Sequence, residues 1–104
     1  MSGCANPLRG EASIVIAGRE RILRPTFAAL VAAEDELGPL FALVERAGAG
    51  QLRLAEVAAL FWHCLVEHEA IGREVVGEAV LAHGLAASAR PLQSLLRQIL
   101  QGAG

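Results

Sequence analysis

Residues 13–30 decide the fold, and they read SIVIAGRERILRPTFAAL. The first half places β-branched and other apolar residues on both sides of Gly18, which is typical of two strands joined by a tight turn. From Pro25 onward the apolar residues recur at helical spacing, and Thr26 is an acceptable N-cap. The stretch therefore predicts a β-hairpin over about residues 12–24 that passes directly into a helix.

The hairpin turn is predicted to be of type II′, with Gly18 in its first position. In that register Val15 lies opposite Ile22, and paired residues share one face of a hairpin. One face then carries the three apolar residues that can pack on helices, Ile14, Ile16 and Leu23. The other face carries Val15 and Ile22, with Arg24 beside them.

After the hairpin, apolar spacing predicts four to five short helices around a central third helix. The predicted ranges are 27–37, 39–47, 54–68, 71–83 and 88–101. The third helix is apolar nearly all round, which is typical of a buried helix. Pro91 favours a start of the last helix at residues 88–90, or a kink. We expect a mainly α single domain with a small β component over residues 11–101, preceded by a flexible tail over residues 1–10.

Composition argues against several classes of protein. The net charge is −2, so the basic surface of a nucleic-acid-binding domain is not expected. No apolar run reaches the roughly 20 residues of a membrane helix, and the first residues lack the pattern of a signal peptide. Cys4 and Cys64 cannot form a disulfide framework. We therefore expect a cytoplasmic protein with reduced thiols and no nucleic-acid or membrane partner.

Residues 63–68, HCLVEH, carry the side chains that most resemble a metal motif. On a helix Cys64 and His68 fall on the apolar side, whereas His63 and Glu67 fall on the polar side as an i,i+4 pair. The two pairs cannot converge on one ion, and a catalytic zinc needs three ligands and an open position. The serines lack a nucleophile motif, and no phosphate-binding loop is present. We expect no enzymatic activity, no metal and no cofactor.

Glu34 stands out in the first helix because it projects into the apolar face formed by Phe27, Leu30, Val31 and Leu37. A carboxylate among apolar side chains needs a partner or must be protonated. We expect Glu34 to be a buried structural carboxylate that caps another helix or pairs with an arginine. The alternative is a contact with a partner protein.

A two-stranded hairpin is marginal alone and has two open edges. Val15 and Ile22 lie on the face that the helices leave uncovered, and Arg24 supplies charge beside them. Leu81 projects with the polar side of the fourth helix and adds another exposed apolar position. We predict that these four residues bind partner proteins. The alternative is that the N-terminal tail or the last helix covers Val15 and Ile22.

The junction at residues 20–30, ERILRPTFAAL, resembles the small gene-transfer-agent tail proteins of alphaproteobacteria, a family also described as phage tail tube or tail assembly chaperone proteins. The similarity continues through LxEVA at 54–58, VxxE at 75–78 and HGL at 83–85, and it covers about residues 10–101.

The resemblance implies a non-enzymatic part in building a phage-like tail, as a structural component or a chaperone. It implies a tape-measure or tail tube protein as partner, a homo-oligomer as a second kind of contact, and incorporation into phage-like particles. The residues themselves leave one alternative, a small helical regulatory or adaptor protein of the antitoxin or transcription-adaptor type.

Overall fold

The structure is a computed structural model that describes residues 11–101. Its two strands are β1 (Ala12–Ile16) and β2 (Arg19–Leu23). Five helices follow: α1 (Phe27–Leu37), α2 (Leu40–Gly48), α3 (Leu54–Cys64), α4 (Arg73–His83) and α5 (Leu85–Gln101). The predicted fold class, a helical bundle behind an N-terminal hairpin, is confirmed. The flexible tail predicted over residues 1–10 lies outside the described residues.

The hairpin turn differs from the predicted one. Ala17 and Gly18 form the two-residue loop, with φ values of 54° and 78°. Two positive φ values define a type I′ turn, so the predicted type II′ turn is wrong. Val15 lies opposite Glu20 rather than opposite Ile22, a slip of two residues along β2. An even slip leaves every side chain on its predicted face, because side chains alternate with a period of two.

The outer edge of β2 is held by the segment that follows α3. Leu65 forms an isolated antiparallel bridge with Leu23. Two backbone hydrogen bonds flank the bridge, from the Val66 amide to the Ile22 carbonyl (3.0 Å) and from the Arg24 amide to the Cys64 carbonyl (2.6 Å). Leu65 is extended, with φ −66° and ψ 124°. The helix predicted over 54–68 therefore ends at Cys64, because its last residues pair with the hairpin instead.

The core centres on α3, as its apolar circumference predicts. Leu60 and Phe61 of this helix have no exposed surface, and residues 57–61 are all buried. Every strand and helix contributes at least one buried apolar residue to the same cluster. Burying a large apolar side chain contributes roughly 1.5–3 kcal/mol, so the core around α3 is the main source of stability.

α1 packs on α3 through a different face from the predicted one. Ala33 is fully buried and Leu30 is partly buried, whereas Phe27 and Val31 are exposed. The apolar residues of α1 therefore divide between an inner and an outer face. A small residue such as Ala33 allows the two helix backbones to approach closely, which turns the bulkier Phe27 and Val31 outward.

α5 begins earlier than predicted. Gly84, with a φ of 86°, ends α4, and α5 starts at the next residue, Leu85, rather than at residue 88. Pro91 lies inside α5 without ending it. A proline removes one helical hydrogen bond, so this helix is weakest in its first half. Among the helices of residues 11–101, none is long and apolar enough to cross a membrane.

Candidate interaction surface

The outer stripe of α1, defined here as Phe27, Val31 and Glu34, faces away from α3. Its residues recur at the three- and four-residue spacing of one helix face. Glu34 Oε2 accepts a hydrogen bond from the Leu40 amide at 3.1 Å, so Glu34 caps α2. The cap fits one of the two expected structural roles, but the expected burial is wrong, because Glu34 is exposed on the outer face. No arginine is needed to satisfy it.

Two exposed phenylalanines lie at the starts of α1 and α2. Phe27 is 85% exposed, and Phe41, the residue after the capped Leu40, is 78% exposed. Sequence reasoning missed both as surface residues, because it assigned Phe27 to the core and gave Phe41 no role. The available signal was that Phe41 lies off the apolar stripe of its own helix. Large exposed aromatic residues are typical of partner contacts.

The outer face of the hairpin carries Val15 and Ile22, as predicted from the alternation. Val15 is 41% exposed and Ile22 is partly buried. The Val15 carbonyl accepts a hydrogen bond from His83 Nε2 at 3.0 Å, which joins β1 to the end of α4. A groove of about 420 Å³ lies between β1 and the first half of α5. β1 thus keeps an accessible flank, whereas β2 is covered by the segment after α3.

Arg24 follows the end of β2 and is engaged within the chain. Its Nε donates to Glu11 Oε2 at 2.6 Å, and the Glu11 side chain is only 3% exposed. Arg24 itself is exposed, so its charge reaches the surface beside the hairpin while it stabilises a buried carboxylate.

Leu81 lies on the outside of α4 and is 61% exposed. His83, which contacts the hairpin, is two residues further along, and two residues turn a helix by about 200°. Leu81 therefore points away from the side of α4 that touches Val15. The four residues predicted to bind partners do not form one surface. Val15, Ile22 and Arg24 lie on or beside the hairpin, whereas Leu81 lies on the side of α4 that faces away from it.

His63, in the histidine-containing segment, belongs to a hydrogen-bonded network between helices. His63 Nε2 donates to Glu36 Oε1 at 2.8 Å, and the Arg73 guanidinium donates to the other oxygen of Glu36. These bonds join α1, α3 and α4. Arg73 first, and then His63, hold the pKa of Glu36 below its usual value. Arg73 also lies over the Trp62 ring, 4.6 Å from its centroid.

The predicted His63–Glu67 pair is wrong because α3 ends before Glu67. Glu67 instead accepts a hydrogen bond from Arg21 at 2.9 Å. Burial raises the pKa of the Cys64 thiol to about 12, so this sulfur stays protonated and unreactive. Within residues 11–101, no group of three or more histidine, cysteine or acidic side chains is placed to hold a metal ion.

The structure thus leaves several apolar side chains exposed, and comparison with known proteins shows the family of the chain. A family model described as phage tail tube protein, GTA-gp10, matches residues 9–102. The chain belongs to this family. The resemblance drawn from the ERILRPTFAAL junction is thereby confirmed. No curated protein and no solved structure matches the chain.

In this tail protein, several of the exposed apolar residues fall into three groups. One is the phenylalanine surface, defined here as Phe27, Val31 and Phe41. A second is the outer face of the hairpin, and a third is the outside of α4 around Leu81.

Proposed function

We propose that this tail protein acts in the assembly of a phage-like tail by binding other tail proteins, without catalysing a reaction. The observation that carries the proposal is the exposure of Phe27 and Phe41 on the surface of the bundle. Burying a phenylalanine contributes roughly 1.5–3 kcal/mol, and aromatic anchors dominate many protein interfaces. Two such anchors left in water favour a partner that covers them.

The partner that we propose is the tape-measure or tail tube protein of the same tail. Phe27, Val31 and Phe41 belong to α1 and α2, which suits the docking of an amphipathic helix against them. The groove beside β1 suits an extended segment, which would add to the open flank of the hairpin. The first mode uses exposed apolar side chains, and the second would use backbone groups of β1 other than the Val15 carbonyl, which already accepts from His83.

The role within assembly is either that of a structural component or that of a chaperone that leaves before the tail is complete. The two roles differ in one observable. A component remains in purified particles in a fixed ratio to the other tail proteins, whereas a chaperone is found with them only in the producing cells. Quantitative mass spectrometry of both fractions distinguishes the roles.

The double variant Phe27→Asp/Phe41→Asp tests the surface itself. Because both side chains are exposed, we expect the far-ultraviolet circular dichroism and the denaturant midpoint to stay close to those of wild type. Co-purification with the tape-measure and tail tube proteins is expected to be lost, and the number of tailed particles is expected to fall.

The matched control is Ala28→Asp/Ala42→Asp, which adds the same charges at neighbouring exposed positions. We expect this control to bind and assemble like wild type. A Phe27→Asp/Phe41→Asp protein that still binds both tail proteins and still supports normal tails would rule out the phenylalanine surface as the docking site.

A further inference from the structure

A further apolar surface lies between α2 and α5. It is a groove of about 420 Å³. Its apolar lining includes Val44 and Ala47 from α2 and Leu92, Leu96 and Leu100 from α5. Arg97 is the charged residue in the lining, at the rim. This groove is called the α2/α5 groove below.

α5 brings only positive charge to this groove. The helix contains Arg90 and Arg97 and no acidic residue. A spacing of seven residues places both arginines on one face of the helix. Neither takes part in an ion pair within residues 11–101. Arg97 lines this groove, whereas Arg90 lines the groove beside β1. The α2/α5 groove therefore combines an apolar floor with one uncompensated cation at its edge.

The outer face of α4, defined here as Glu74, Glu78 and Leu81, has the opposite character. All three residues are exposed. The two glutamates are four residues apart, and neither contacts a cation within residues 11–101. Like charges at this spacing weaken an isolated helix, so an external cation would stabilise the arrangement. Leu81 lies on the same side of α4 as the two carboxylates.

We propose that the α2/α5 groove binds the outer face of α4 from a second copy of this chain. Leu81 would enter the groove among its leucines. Glu78 would meet Arg97, the cation in the groove lining. Charge complementarity carries this choice of occupant, because the charged residue in the groove lining is a cation and the outer face of α4 offers only carboxylates. The proposal stands independently of the phenylalanine surface and of its partner.

The groove and the outer face of α4 are different parts of each chain, so the contact is heterologous. Each copy can then bind one neighbour through its groove and another through its α4. Contacts of this kind generate a closed ring when the rotation between copies closes, and an open filament when it does not. We therefore expect assemblies that grow beyond a dimer.

Charge reversal at the proposed pair tests the contact by sedimentation at low salt. Wild type is expected to show a mass above 10.9 kDa that rises with concentration. Arg97→Glu alone and Glu78→Arg alone are each expected to raise the dissociation constant by at least about tenfold. The double variant Arg97→Glu/Glu78→Arg, and an equimolar mixture of the two single variants, are expected to restore association, because each again pairs opposite charges.

Matched controls are Arg19→Glu and Glu69→Arg, which make the same charge changes at exposed positions outside both surfaces. Both controls are expected to associate like wild type, and circular dichroism checks that every variant is folded. The proposal is overturned by a wild type that stays monomeric. This holds even if the groove binds a different occupant, such as an added acidic amphipathic peptide. It is also overturned if the controls weaken association equally, or if neither the double variant nor the mixture restores it.

Discussion

The two sides of the bundle use charged residues in opposite ways. On the side of α1, α3 and α4, the Glu36 carboxylate bonds both His63 and Arg73, and Arg73 covers Trp62. On the side of α2 and α5, Arg90 and Arg97 have no ion-pair partner within residues 11–101. On the first side the charged residues bond one helix to another, whereas on the second side these two arginines are exposed and, in the described part of the chain, unpaired.

This difference indicates which parts of the chain hold the fold and which are free to bind. Charges paired between helices fix the positions of those helices, and they are no longer available to a partner. Charges at the rim of a groove add little to folding, but they orient and select whatever enters the groove. Substitutions on the two sides should therefore change different measurements, stability on one side and association on the other.

The largest expected effect comes from the centre of the first side. Phe61 has no exposed surface and lies on the central helix α3. Phe61→Ala should lower the free energy of unfolding by about 3–5 kcal/mol, because it removes apolar contacts and leaves a cavity. Leu100→Ala, at the exposed end of α5, should change it by less than about 0.5 kcal/mol. Urea denaturation measures both, and equal losses would contradict the comparison.

α2 has features of both sides of the bundle. It lines the α2/α5 groove, but an ion pair also joins it to α3. Arg46 binds Glu56 through two contacts of 2.8 and 2.7 Å, and the Arg53 amide donates to the same carboxylate at 3.0 Å. Arg46 first, and then the Arg53 amide, lower the pKa of Glu56 from 4.5 to about 2.

A pKa that is lower in the folded state stabilises the fold above the unfolded value and loses that contribution as the pH falls. The contribution of Glu56 should therefore be complete above about pH 4.5 and disappear between pH 4.5 and about 2. In Glu56→Gln this part of the acid dependence should be absent. Denaturant midpoints measured at several pH values test this, and parallel curves for the two proteins would contradict it.

A smaller effect is expected where the three helices of the first side meet. Glu36→Ala leaves His63 and Arg73 without their shared acceptor, and should cost about 0.5–1 kcal/mol of unfolding free energy. The matched control is Asp35→Ala at the neighbouring exposed position, for which we expect a smaller change. Arg97→Ala on the second side should leave the stability of the monomer unaltered. If Arg97→Ala costs as much as Glu36→Ala, the two sides do not differ as described.

Local signals explain which helix limits could be predicted from the sequence. The Thr26 side chain accepts a hydrogen bond from the Ala29 amide, and Gly38 ends α1, so both limits of this helix are encoded within one turn. The end of α3 is different. Leu65 leaves the helix to pair with Leu23, which is distant in sequence, so no local pattern indicates the break.

The same distinction between local signals and tertiary packing applies to the residues of the candidate surface. The outward direction of Leu81 follows from periodicity within α4. The exposure of Phe27 does not, because α1 has two faces with apolar residues and the choice depends on how Ala33 packs against α3. Glu34 was predicted on the inner face of α1 but lies on the outer face for the same reason. Its ability to cap a helix was recognisable from its carboxylate.

The smallest expected effect concerns the hairpin, which lies between the two sides. β2 is bonded to the segment after α3, and β1 contacts α5. Ala17 has a positive φ, which an L-residue other than Asn or Gly adopts at a cost. Ala17→Asn places Asn-Gly in the type I′ turn and should add about 0.5 kcal/mol to the stability.

Arg19→Asn is the control for this change. It would complete a Gly-Asn loop in the predicted type II′ register, but it only replaces an exposed strand residue in the observed one. A gain from Ala17→Asn without a gain from Arg19→Asn supports the observed register, and the reverse contradicts it.

Following unfolding both by Trp62 fluorescence and by circular dichroism adds a second test. Trp62 reports on the first side alone, so coincident midpoints would mean that the two sides unfold together despite their different use of charge.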